Sequence, residues 1–140
     1  MDEQTDPFLN EKTTDDLITA NKKLHISARK GSVEEVESSL RMGAQVNVVN
    51  EYGQTPLYMA VSGFLEILKS EAEYKALKKS NSKEAERLIS KPSWITQSAL
   101  QCYADKIEIL CQHNAEIKAA DHNGVTPFEL SRQIHDLGHP

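Results

Sequence analysis

Asn50-Glu51-Tyr52-Gly53-Gln54-Thr55-Pro56-Leu57-Tyr58-Met59-Ala60 is the stretch on which the reading of this chain turns. Gly53 tolerates a positive φ, Thr55 can accept a hydrogen bond from a first helical turn, and Pro56 suits the first helical position, where its missing N–H costs nothing. A tight turn therefore feeds straight into a helix. Nearly the same string returns as Asp121-His122-Asn123-Gly124-Val125-Thr126-Pro127-Phe128-Glu129-Leu130. Repeated turn chemistry calls for a period to be sought before anything else.

Leu24, Leu57, Ile95 and Phe128 occupy one apolar slot, at steps of 33, 38 and 33 residues. A step of 33 with Thr-Pro at the head of a helix resembles the ankyrin repeat, a β-turn and two antiparallel helices per unit. The resemblance covers residues 21 to 137. The first unit carries it best: Leu24 to Gly31 follows the family's helix A, Val33 to Leu40 its helix B, and Gly43-Ala44-Gln45-Val46-Asn47 its finger. What it implies is an all-α solenoid of stacked helix-turn-helix units with short β-turn fingers. The units expected are 21–53, 54–91 with an insertion, 92–124 and an incomplete 125–140. Residues 1–20 precede them as an acidic, partly disordered tail with a capping helix.

Composition sets the outer limits. A chain of 140 residues with 39% hydrophobic and 26% charged residues suits one soluble domain. Its net charge of −5 lies within the first twenty residues, where Asp2, Glu3, Asp6, Glu11, Asp15 and Asp16 face only Lys12. The rest is balanced and advertises no polyanion partner. No apolar run approaches the ~18 residues of a membrane span, and the N-terminus lacks a secretory layout. Cys102 and Cys111 imply no disulfide framework, so reduced thiols and a cytoplasmic setting are expected, in the host cytosol if this is an effector.

Thr13-Thr14-Asp15-Asp16 marks a helix start, with Leu17-Ile18 as an N-terminal lid. Helix A of the first unit is expected from Lys22 to Lys30, and helix B from Val33 to Met42. Gly43 follows as a left-handed cap, and Val46 to Val49 as an extended lead into the turn. Two registers fit the second unit. In the favoured one its first helix runs through Phe64, Leu68 and Leu77 to about Lys79, and Lys83 to Ser90 makes helix B with Ser82 as cap. In the other, helix B starts at Phe64 and residues 80–91 are inserted. Ser93-Trp94-Ile95 then heads a further helix A, with helix B beginning near Asp105 and Asn114 replacing Gly as its left-handed cap. A final helix from Thr126 to about Asp136 leaves Phe128, Leu130, Ile134 and Leu137 without a following partner.

No reaction chemistry is indicated. Cys102, Cys111, His113, His122, His135 and His139 show no metal-ligand spacing, and Cys111 with His113 straddles a helix end on an apolar slot. Phosphate cradles and nucleophile elbows are missing, so no enzyme activity, cofactor or metal is expected. Lys69 to Lys91 holds seven bases against four acids with Tyr74 as its one aromatic, which reads as a solvated face before a polyanion site. His25 keeps the imidazole usual in the family and Tyr58 replaces it; both read as structural. The resemblance implies a non-catalytic protein-protein interaction module gripping its partner on the concave side. Side chains free to specify that partner are Arg29 and Lys30, then Val49, Glu51, Tyr52, Gln54 and Ser62, then His122, Asn123 and Val125, with Tyr52 as the anchor. The alternative is a targeting part of a larger enzyme or of a secreted bacterial or viral effector. A monomer is expected, with the bare final helix as a further contact surface.

Overall fold

A computed structural model describes residues 14–80 and 96–136, which form five helices and no strand. Helix α1 spans Thr14–Lys30, with Asp15 and Asp16 in its first turn and Arg29 and Lys30 in its last, as the helix dipole favours. Ala20, Leu24 and Ala28 bury completely along one stripe. The separate lid and helix A expected from the sequence are one helix, because no Gly or Pro interrupts residues 14–30. The acidic tail before Thr14 lies outside the described residues.

Gly31 reverses the chain into helix α2, Val33–Arg41. Ser32 caps it reciprocally: the Glu35 amide donates to Ser32 Oγ at 3.1 Å, and the Ser32 amide donates to Glu35 Oε1 at 2.9 Å. Val36 and Ser39 bury against α1.

Two fingers leave their helices alike. Gly43 at φ 102 and Asn114 at φ 67 take the left-handed positions read from sequence. Asn50 Oδ1 then accepts from the amides of Tyr52 at 2.9 Å and Gln54 at 3.0 Å, and Asp121 Oδ1 from those of Asn123 and Val125, both at 2.9 Å. Each side chain closes its own bend. The expected extended run from Val46 to Val49 is instead folded by a turn in which the Val48 amide donates to the Gln45 carbonyl at 3.1 Å.

The group that closes the bend thus differs between the two fingers, an amide at Asn50 and a carboxyl at Asp121. The amides of Val125 and Asn123 hold the Asp121 carboxyl below its ordinary pKa, helped by the Tyr58 hydroxyl. A depressed carboxylate pKa adds stability that is complete above the unfolded value and is lost as pH falls through the folded one. Asp121→Asn copies the first finger's chemistry, so its thermal melt should change less than the parent's between pH 6 and pH 3. Parallel losses in the two proteins would refute this role for Asp121.

Helix α3, Pro56–Ser80, starts as predicted, with the Tyr58 amide donating to Thr55 Oγ1 at 3.1 Å. It runs unbroken through the region where the alternative register puts a second helix start, and Leu57, Ala60, Val61, Leu65 and Leu68 supply the centre of the core. The expected helix Lys83 to Ser90, its Ser82 cap and the Ser93-Trp94-Ile95 start lie outside the described residues.

Helix α4 is Gln97–Gln112, capped by Thr96, whose Oγ1 accepts from the Ala99 amide at 3.0 Å. Here the sequence expectation fails. A helix pair breaking before Asp105 was expected, but one unbroken helix forms, since residues 97–112 contain no Gly or Pro. It packs on both α2 and α3, and α5, Pro127–Asp136, packs on α3. Leu130 and Ile134, expected to be bare, bury in that contact, while Phe128 stays 44% exposed. Leu137 lies outside the described residues.

Candidate functional site

Neighbouring units are pinned backbone to side chain. The His25 Nε2 donates to the Gln54 carbonyl at 2.9 Å, and the Gln45 amide donates to Asn21 Oδ1 at 2.8 Å, so α1 and the first finger are held as one wall. The second finger lies beside the first. The His122 amide donates to the Tyr52 carbonyl at 3.0 Å, and the Glu116 amide to Asn47 Oδ1 at 2.7 Å. Gly53 and Gly124 therefore bend on the same side of the stack, at φ 78 and 81.

The far ends of the helices are locked by a lysine that the sequence reading passed over. Lys106 of α4 is 1% exposed, and its Nζ donates to the carbonyls of Ser27 at 3.1 Å and Gly31 at 2.9 Å. These are last-turn and post-helix oxygens at the negative end of the α1 dipole; the Ser27 oxygen also accepts from the Gly31 amide at 2.8 Å. The ammonium also sits 4.0 Å from the centre of the Tyr103 ring, and the Tyr103 hydroxyl donates to the Arg29 carbonyl. Burial lowers the Lys106 pKa.

Between α1 and the first finger runs a groove of about 470 Å³, floored by Ile18, Ile26 and Val49 and edged by Lys22 and Glu51. A second recess of about 370 Å³ beside it is lined by His25, Ile26, Arg29, Lys30, Asn50 and Met59. Ile26 is 66% exposed and Val49 54%, and they line this groove together with Ile18 rather than standing singly on the surface. Of the residues named from sequence, Arg29, Lys30, Val49 and Glu51 meet around these two recesses. Tyr52, 61% exposed, stands on the finger tip, and His122 and Asn123 stand exposed on the next.

The other named residues lie apart from these recesses. The amide group of Gln54 accepts from Asn50 Nδ2 at 3.0 Å inside the bend, and Val125 is half-buried against the core. Ser62 lines a separate polar cleft of about 510 Å³ between α3 and α5, with Lys69, Glu73 and Gln133. Arg29 also borders that cleft, its Nη2 donating to Glu66 Oε1 at 2.7 Å. Ile18, Lys22, Ile26 and Met59 were missed. Ile26 had a signal, since it falls off the stripe of Ala20, Leu24 and Ala28 and so has no core to enter.

Of the candidate reactive groups, Cys111 is exposed rather than packed in the apolar slot expected of it. His113 Nδ1 donates to the Ile109 carbonyl at 2.9 Å, partial burial pushes the Cys111 thiol up, and Cys102 Sγ lies 3.8 Å from the Gly31 carbonyl oxygen. Among the described residues no group of three or more His, Cys, Asp and Glu could hold a metal ion. Described helices include none long and apolar enough to cross a membrane. On the described part of the basic run, Lys75 pairs with Glu71 at 3.9 Å and Lys78 lies 5.4 Å from the centre of the Tyr74 ring, as on a solvated helical face.

Residues 24–69 match the family model for ankyrin repeats in many copies. A similar protein is an ankyrin repeat protein of fowlpox virus, 24% identical over 120 residues, which are 86% of this chain and 20% of that one. Residues 24–69 are thus similar to ankyrin repeats. It spans about a fifth of the length of the curated relative it matches. Ankyrin repeats are generally protein-protein interaction modules. His25 spans from α1 to the Gln54 carbonyl of the first finger, while Tyr58, 33 residues on in the corresponding slot, bonds Asp121. The two fingers also share a second regularity. Thr126-Pro127-Phe128 follows Thr55-Pro56-Leu57 by 71 residues, and Asn114-Ala115 follows Gly43-Ala44 by the same 71.

Proposed function

We infer that this chain is a non-catalytic module that holds another protein in the groove between α1 and the first finger. The exposure of Ile26 and Val49 across a preformed, hydrogen-bonded wall carries this reading. A rigid apolar surface loses little freedom when it is covered, so its burial goes into affinity. Lys22, Lys30 and Glu51 edge the groove, and Tyr52, His122 and Asn123 extend the surface along the fingers.

The test uses the intact chain as bait in affinity capture from a cell lysate. Ile26→Asp and Val49→Asp should each lower recovery of the captured protein at least tenfold, a loss of about 1.4 kcal/mol. Their helical melts should match the parent, since neither side chain enters the core. Capture that survives both changes excludes the groove as the binding surface.

The packing of α4 on α2 and α3 also supports a different division of the chain. Residues 21–53 are one unit and 54–124 a single second unit, whose A and B helices are α3 and the C-terminal part of α4. On this reading the shared offset of 71 is one period of 33 plus 38 inserted residues. Residues 125–140 begin a third unit. A second functional reading, that the module recruits or targets for a longer viral or bacterial polypeptide, is favoured by the length of the fowlpox relative. A cytosolic setting, in its own cell or a host's, suits the two free thiols. A monomer is favoured by the burial of Leu130 and Ile134 within the chain, with exposed Phe128 left as a contact.

A further inference from the structure

Helix α1 presents one row of side chains to the groove and the recess beside it, Ile18, Lys22, Ile26 and Lys30, at steps of four. All four are exposed, while Ala20, Leu24 and Ala28 carry a different stripe into the core. Rows of this spacing are the ridges by which one helix packs into the grooves of another. From Ile18 to Lys30 the ridge is about 18 Å long, with about 6 Å between neighbours. The first finger brings Val48, Val49 and Glu51 to the same groove, and the recess adjoins it through the shared His25, Ile26 and Asn50.

The two sides are unlike in charge. Helix α1 contributes Lys22, Arg29 and Lys30 to the lining, and the finger contributes Glu51. Arg29 is committed to Glu66 at 2.7 Å, whereas among the described residues Lys22 and Lys30 hold no ion pair. Two ammonium groups with Ile26 midway between them set the pattern that an occupant has to answer: carboxylates about 12 Å apart, with an aliphatic side chain between. An extended segment has that reach, but its backbone groups need a sheet edge to pair with. The finger offers a poor one, because the Val48, Asn50 and Tyr52 amides already donate within it. A helix satisfies its own backbone and needs only its side chains to match.

We propose that the occupant is an amphipathic helix of another protein, in which aliphatic and acidic side chains alternate along one row at steps of four, an assignment that rests on the groove being the binding surface. Its acids meet Lys22 and Lys30, and its aliphatic groups cover Ile18, Ile26 and Val49. Glu51, on the finger, turns that acidic row toward α1 and so fixes which way the helix faces.

Three fluorescent, Ala-based synthetic peptides of about five helical turns serve as probes, titrated with the intact chain and read by anisotropy. One carries a Leu-Glu-Leu-Glu row at steps of four, one has Lys in place of each Glu, and one has the acidic row broken by a central Pro. The acidic helix should bind at least tenfold more tightly than either of the others. In methyl NMR of the intact chain it should move the Ile18, Ile26 and Val49 resonances and leave Ile134 in place. Lys22→Glu/Lys30→Glu should reverse the preference to the Lys probe with an unchanged helical melt, since both side chains are exposed. Equal affinity for the Glu and Lys probes, or a preference that the double variant does not alter, would overturn the proposal. Equal binding of the Pro-broken probe would overturn the helical form of the occupant. Groove resonances that move with protein concentration, with no probe added, would overturn it by giving the groove to a second copy. Lysate capture that is lost with Ile26→Asp but kept with Lys22→Glu/Lys30→Glu removes the acidic helix and leaves the groove as the binding surface. Capture indifferent to Ile26→Asp removes both.

Discussion

Lys106→Ala should lower the free energy of unfolding by about 3 kcal/mol, read as a shift of the denaturant midpoint at constant slope. The loss has two parts. Truncation leaves the Ser27 and Gly31 carbonyls, which Nζ now bonds at 3.1 and 2.9 Å, without their charged donor in a buried place. It also empties the volume under the Tyr103 ring, the cavity cost familiar from core truncations. Lys106→Met separates the two, because it keeps the stem and removes the donor. Met should recover less than half of the deficit; full recovery would mean that the amine is held merely by packing and that the α1 carbonyls do not need it.

The second large effect distinguishes two glycines that sequence alone treats as equals. Gly53 and Gly124 both sit at positive φ, 78 and 81, so Ala at either position pays the left-handed backbone cost of about 1 kcal/mol. At Gly124 nothing lies within 4 Å of an added Cβ, so that is the whole cost. At Gly53 the same Cβ would stand 2.6 Å from His122 Cδ2 and 3.0 Å from the His122 backbone nitrogen. The imidazole can swing away, but the amide is tied to the Tyr52 carbonyl at 3.0 Å. Gly53→Ala should therefore cost about 3 kcal/mol, from the backbone cost plus overpacking between the fingers. Equal melting shifts for the two variants would show that the fingers do not press on each other.

How much of this was legible in the sequence depends on the distance over which each feature is decided. The left-handed Gly43 and Asn114, the Thr-Pro helix starts and the bend at Gly53 were readable, since each involves partners within about four residues. The groove was half readable. Val49, Glu51, Arg29 and Lys30 were named because the repeat does not need them, whereas Ile18 and Ile26 looked like ordinary members of a helix. Their exposure follows from where the finger stops, which no local pattern records. Gln54 and Val125, named for the surface, are half-buried, the first because its side chain bonds Asn50 and the second because it packs against the core.

The helix from Gln97 to Gln112 carries the clearest lesson. Spacing suggested a new helix at Asp105, but residues 97–112 hold no Gly or Pro and form one helix, because apolar periodicity alone sets no helix boundary. By itself the sequence determined the turn chemistry, the helix caps and the all-α stack, because those depend on hydrogen bonds and dihedral preferences between near neighbours. Only the tertiary structure decided that α4 packs against α2 and α3, that Lys106 closes the end of α1, and that Ile26 and Val49 face each other across a groove. Those outcomes join residues from 23 to 79 positions apart, and they were settled by which surfaces could be buried together.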